Sequence, residues 1–220
     1  MKHFLPLLLI IFTSSLVYGQ KFVFSGDFSL LYTQIDGDRL TGYHKRGFRG
    51  GVGVNYPLGK IVSLNAKTSF YRHGSSRKNS FQERVPDGSQ LVMNINSVGL
   101  EWSLEVQPIN SNTYFSTGFV VHRVFSFDVE PVNFIVNGPK PAFSDDNIET
   151  NFVDFTFLLG YKLSPNNKVF VSFNRTLSNL LIEPFDGVNK LAPYNIGLGY
   201  IFTINPRPDA KPKRVRKRRK

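Results

Sequence analysis

PYNIGLGYIFTI, residues Pro193 to Ile204, puts Tyr194, Ile196, Leu198, Tyr200, Phe202 and Ile204 at alternate positions, with Asn195, Gly197, Gly199 and Thr203 mostly between them. A repeat of two becomes a one-sided apolar surface only on a β-strand. The apolar side ends in aromatics and the opposite side is small and polar, which is the greasy-outside, wet-inside polarity of a membrane barrel strand. The stretch is expected to close such a barrel against the first strand of the chain.

Seven earlier segments alternate in the same way: Phe22 to Thr33, Gly47 to Tyr56, Val62 to Arg72, Leu91 to Val106, Tyr114 to Phe127, Phe152 to Leu163 and Val169 to Leu177. The fourth changes phase, since Met93 and Ile95 are odd whereas Val98, Leu100, Trp102, Leu104 and Val106 are even. A bulge near Asn96 to Ser97 is expected to absorb that shift. In the fifth, Phe115, Phe119, Val121, Phe125 and Phe127 are expected on the apolar face and His122 on the other.

Pro57 to Lys60, Pro108 to Asn112 and Ser164 to Asn167 read as short turns rich in Pro, Gly, Asn and Ser. The intervening connections, Ile35 to Lys45, His73 to Ser89, Asp128 to Thr150 and Ser178 to Ala192, are longer and polar. Short turns alternating with long loops predict an all-β, eight-stranded antiparallel up-and-down transmembrane β-barrel with both barrel ends on the short-turn, periplasmic side. A soluble sandwich also accommodates eight strands, but it does not sort its loops by length or put aromatics on one face of nearly every strand.

The chain has 220 residues, 41% of them hydrophobic, and no Cys. Disulfides, thiol chemistry and cysteine-type metal sites are therefore excluded. Residues 1–19 look like a signal peptide: Lys2 and His3 precede an apolar stretch from Phe4 to Val17, and Val17-Tyr18-Gly19 offers a cleavage site. Residues 20–204 then form the barrel and 205–220 a basic periplasmic tail. Of the +11 formal charge, +8 lies from Arg207 onward and one positive charge is Lys2, which leaves +2 on the body. Pro206, Pro208 and Pro212, with the like charges of Lys211, Lys213, Arg214, Arg216, Lys217, Arg218, Arg219 and Lys220, predict a tail disordered when free. In a cytosolic protein such a run suggests nucleic acid; export excludes that partner and points to anionic lipid, cell-wall polymer or an acidic periplasmic protein.

The segment GFRGGVGVNYPLGKIVSLNAKTSFYRHGS, Gly47 to Ser75, resembles the PorT-like outer-membrane β-barrel family of Gram-negative bacteria, porin-like small barrels. The carrying features are a Gly-aromatic-x-Gly-Gly strand, a Pro-Leu turn, an aliphatic strand ending in an aromatic and Gly-Ser, and the closing IGLGYIF. The resemblance implies an eight-stranded barrel in the outer membrane and, for some members, a place in a protein-secretion system. The chain departs from many such barrels in continuing for eighteen residues after Phe202.

Seven charged residues fall on the inward parity: Asp27, Arg49, Lys67, Glu101, Glu105, Asp154 and Lys162. The interior of an eight-stranded barrel is just wide enough for side chains, and buried charges must pair. They are expected to form a self-neutralising plug; a gated ion path is the alternative. His122 faces inward and His44 and His73 fall in loops, with no Ser-His-Asp order or metal-ligand spacing around them. The chain is accordingly expected to be neither an enzyme nor a metal or cofactor protein, with a lipid-modifying barrel enzyme as the remote alternative. Arg72, Arg123 and Arg175 lie at the outer end of the third, fifth and seventh strands on the outward face, where guanidinium groups suit the phosphates of lipopolysaccharide. Apolar residues in the long loops, Phe81, Val132, Phe134, Ile135, Phe143, Leu180, Leu181, Ile182 and Phe185, are expected either to meet a protein partner or to pack on one another over the mouth. The function so read is that of a membrane-embedded binding or assembly component of the outer membrane, with a small transport channel as the alternative.

Overall fold

A computed structural model describes residues 22–36, 45–76, 90–132, 148–182 and 191–204. They form eight antiparallel strands in one closed barrel, each paired with its neighbours in the chain and β8 with β1. The strands are β1 Val23–Asp36, β2 Lys45–Pro57, β3 Val62–Ser76, β4 Gln90–Val106, β5 Thr113–Val132, β6 Asn151–Ser164, β7 Asn167–Thr176 and β8 Ala192–Ile204. Closure leaves the sheet no open edge, the condition for strands to cross lipid. No helix among the described residues is long and apolar enough to span a membrane, which says nothing against crossing by strands. Residues 1–19 and 205–220, with His44, Phe81, Phe134, Ile135, Phe143 and Phe185, lie outside the described residues, as does the side chain of Val132, so the expectations on them stand as expectations.

The registers fix how the strands lean. Going round from Phe24 through Val54, Ala66, Trp102, Phe119, Phe155, Arg175 and Tyr194, the pairing returns to β1 at Gln34, ten residues further along. A stagger of that size with eight strands corresponds to a tilt of about 40°. The uncharged outward runs Phe24–Tyr32, Phe48–Tyr56, Val62–Phe70 and Val98–Val106 are nine residues each, which at this tilt spans roughly 20–25 Å, the height of an outer-membrane apolar band. Phe28, Leu30, Val52, Trp102, Phe119, Leu159 and Leu198 are among the large apolar side chains left facing out. At the short-turn end, Tyr161 accepts a hydrogen bond from Asn112 Nδ2, and Tyr200 OH donates to Asn167 Oδ1. Aromatics with a polar tip suit the edge of such a band.

Two sequence expectations are corrected in detail. The register does shift between Asn96 and Ser97, but those residues pair with Ser126 and Val124, so the extra residue is Phe125 on β5. The parity of β4 runs unbroken: Met93 and Ile95 are buried on the same inward face as Ser97. Beyond the bulge the parity of β5 reverses, so Phe127, expected outward, packs against the buried cluster at the barrel mouth. On β8, Ile201 turns inward with Tyr114, Leu158 and Phe170.

Candidate functional site

The lumen is a filled column built from the inward side chains of all eight strands. Near the short-turn end Asn55 Nδ2 donates to Asn65 Oδ1 at 2.6 Å, and Lys168 Nζ donates to Glu105 Oε1 at 2.7 Å while lying 4.4 Å from the Tyr114 ring centroid. At the waist Arg49 Nη2 donates to Asp27 Oδ2 at 2.8 Å, and the guanidinium lies between the rings of Tyr71 and Phe170, 5.9 and 5.2 Å from their centroids. Lys67 Nζ is 3.7 Å from Glu101 Oε1, which also accepts from Ser103 Oγ at 2.9 Å. The glycines opposite make this filling feasible: a Cβ on Gly199 would strike the Phe170 ring, and one on Gly160 the ring of Tyr114.

Above the waist three adjacent strands converge on one imidazole. Ser97 Oγ lies 3.1 Å from His122 Nδ1, and Asp154 Oδ2 lies 3.2 Å from Nε2 without good hydrogen-bond alignment. Thr176 Oγ1 donates to Asp154 Oδ1 at 2.6 Å. The His122 ring stacks on Phe152 at 4.4 Å and meets Tyr71 edge-on at 4.6 Å, and His73 stacks on Phe152 at 5.8 Å. His73 therefore belongs to β3 and the lumen, not to a loop. Ser, His and Asp stand together as in a hydrolase, although their sequence spacing carries no such motif. Ser97 and His122 are both 0% exposed, so the cluster is enclosed within the barrel.

The long-loop end is shut by an apolar plug. Ile148, Leu180, Leu181 and Leu191 from the last two loops pack on Ile35, Met93, Ile95, Val124 and Phe152. Ile148 bridges Leu181, Leu180 N donates to Leu191 O, and Asn179 Oδ1 accepts from the amides of both Leu181 and Leu191. Of the two readings of the loop apolars, Leu180 and Leu181 follow the one in which they pack over the mouth, as core residues; Ile182 is exposed.

Asp27, Arg49, Lys67, Glu101, Glu105 and Asp154 are buried, in three contacts within that column and one with His122. Lys162 is half-buried at the β6 to β7 turn, where its backbone amide donates to Asn112 O. Sequence reasoning missed Lys168, the partner of Glu105. Its inward parity on β7 was the available signal. Arg72, Arg123 and Arg175 are all exposed on outward positions, and Arg46 on β2 joins them. No group of three or more metal-ligating side chains occurs among the described residues.

No protein-family model matches the chain, and no curated protein does. Among solved structures it is similar to Ail of Yersinia pestis in complex with the heparin analogue sucrose octasulfate (10% identity, TM-score 0.43, 84% of this chain and 99% of that one). It is also similar to Neisserial surface protein A (10%, 0.44, 83% and 97%) and to the outer-membrane protein OprG of Pseudomonas aeruginosa (12%, 0.38, 84% and 96%). Likenesses this distant carry nothing about role.

Proposed function

We propose that this chain is an outer-membrane barrel that works as a binding or assembly component and not as a conduit or an enzyme. The observation that carries the reading is the occupied lumen: a charge-paired waist in which Arg49, Tyr71 and Phe170 are wholly buried, beneath an apolar plug. A scaffold closed in this way offers its surfaces, the long loops, the outward collar and the short-turn end, instead of its interior. Residues 1–19 act as the export signal, and the basic tail beginning at 205 holds an anionic periplasmic partner by charge. Outward arginines of the rim, Arg72 and Arg123 foremost, bind lipopolysaccharide phosphates. The finer form of this reading, which the resemblance over Gly47 to Ser75 implies, is a part in a PorT-like secretion apparatus. The competing reading, a small channel, is tested by purified protein in a planar bilayer: silence is expected, and stepwise conductance would overturn the scaffold. Crosslinking in intact cells from the long loops identifies the partner, and recovery of no protein beyond lipid would sink the assembly role.

A further inference from the structure

The barrel stagger fixes which outward residues share a height. Ten residues of stagger over eight strands mean that moving one strand on at constant height steps about one residue back toward the short turns relative to the paired register. Arg72 pairs with Phe48 and with Asn96, while Arg123 pairs with Val98 and with Asn151. At constant height the level of Arg72 therefore takes in Arg46 on β2 and Arg123 on β5. Four strands of stagger from β3 to β7 sum to about five residues, so Arg175, which pairs with Phe155 and Tyr194, falls about one residue lower, roughly 2.5 Å nearer the membrane centre.

This level lies directly above the end of the apolar band, and its chemistry is one-sided. None of the four arginines makes an ion pair among the described residues. The nearest carboxylates on outward positions, Asp36, Asp128 and Glu149, all lie closer to the loops. Beneath Arg46 and Arg72 run three phenyl rings, Phe28 to Phe48 at 6.4 Å and Phe48 to Phe70 at 5.5 Å, and Phe70 meets Phe125 at 5.8 Å on the loop side. Phe125 keeps the ordinary outward parity of β5, two residues past Arg123 on the loop side, and the bulge reverses that parity only beyond it. Tilted strands are spaced about 6 Å apart around the barrel. Arg46 and Arg72, on adjacent strands, can share one phosphate, and Arg123 stands about 12 Å from Arg72, a separation that suits a second.

We propose that Arg46, Arg72 and Arg123 clamp the two phosphates of a diphosphorylated outer-leaflet glycolipid whose acyl chains lie on the Phe28, Phe48 and Phe70 rings. The inference rests on the membrane-barrel reading above and deepens it, replacing Arg175 with Arg46 as the principal contact. It is tested by native mass spectrometry of the detergent-solubilised full chain titrated with diphosphoryl lipid A, monophosphoryl lipid A and phosphatidylglycerol. Retention of the diphosphoryl lipid is expected to exceed that of the other two by about tenfold. The Arg46→Gln and Arg72→Gln pair should lose at least about tenfold, the corresponding Lys pair less because charge persists without bidentate geometry, and Arg175→Gln under about twofold. Equal binding by the Gln pair and the unaltered protein, an equal loss in Arg175→Gln, or equal retention of phosphatidylglycerol would overturn it. A protein that binds none of these lipids yet stays folded in detergent refutes the clamp alone; one that stays soluble without detergent refutes the barrel reading itself.

Discussion

At the level of single residues the lumen is a problem in charge burial. Asp27 and Arg49 are both almost fully enclosed and share a 2.8 Å contact. Removing one member leaves the other uncompensated, which costs about 3–5 kcal/mol. Asp27→Asn or Arg49→Met should therefore each lower the midpoint of urea unfolding in lipid vesicles, whereas the double change Asp27→Leu with Arg49→Met should recover a large part of the loss. Additive losses would show that the two residues are not coupled. The inward charges were legible in the sequence because parity alone assigns them to a face. Their partners were not: Glu105 finds Lys168 sixty-three residues on, and Ser97, His122 and Asp154 meet only because β4, β5 and β6 pair in one particular register.

At the level of elements, strand identity followed from the period of two, and strand phase did not. Met93 and Ile95 looked like a break in β4, yet they are core residues near a lumen end that is itself apolar. Alternation cannot distinguish a lipid-facing aliphatic from one that plugs the mouth, since both are removed from water. The same ambiguity left two readings open for Leu180 and Leu181. Their strap is organised by one side chain, Asn179, whose Oδ1 accepts two backbone amides. Asn179→Ala strands both donors at the edge of the buried cluster, at a cost of about 1–3 kcal/mol. The expected result is faster proteolytic nicking within 178–192 with the barrel core intact. Unchanged nicking would mean that the leucines hold the strap unaided. Inward Gly160 makes a complementary case: Gly160→Val drives a branched side chain into Tyr114, which should cost at least about 1–3 kcal/mol through overpacking, read as a lower unfolding midpoint.

At the scale of the whole molecule, one cylinder separates two environments, and nearly every sequence feature serves that separation. Aromatics and aliphatics line the outside of the band, polar and ionised groups the waist inside, and arginines the outer rim. The topology was legible because loop length and parity agree in every strand; the height at which residues meet was not, because it depends on the ten-residue stagger. The chain contains no Cys, so single cysteines can carry a probe without background. The decisive measurement is therefore nitroxide labelling at outward Phe28, Leu100, Leu159 and Leu198 and at inward Ser29, Ser69 and Ser172, in lipid vesicles, with oxygen as the lipid-soluble relaxant. A lipid-spanning cylinder with a filled lumen predicts strong oxygen enhancement at all four outward sites and little at the three inward ones. Protection of the outward sites, as if those side chains were packed between two facing sheets, would contradict it.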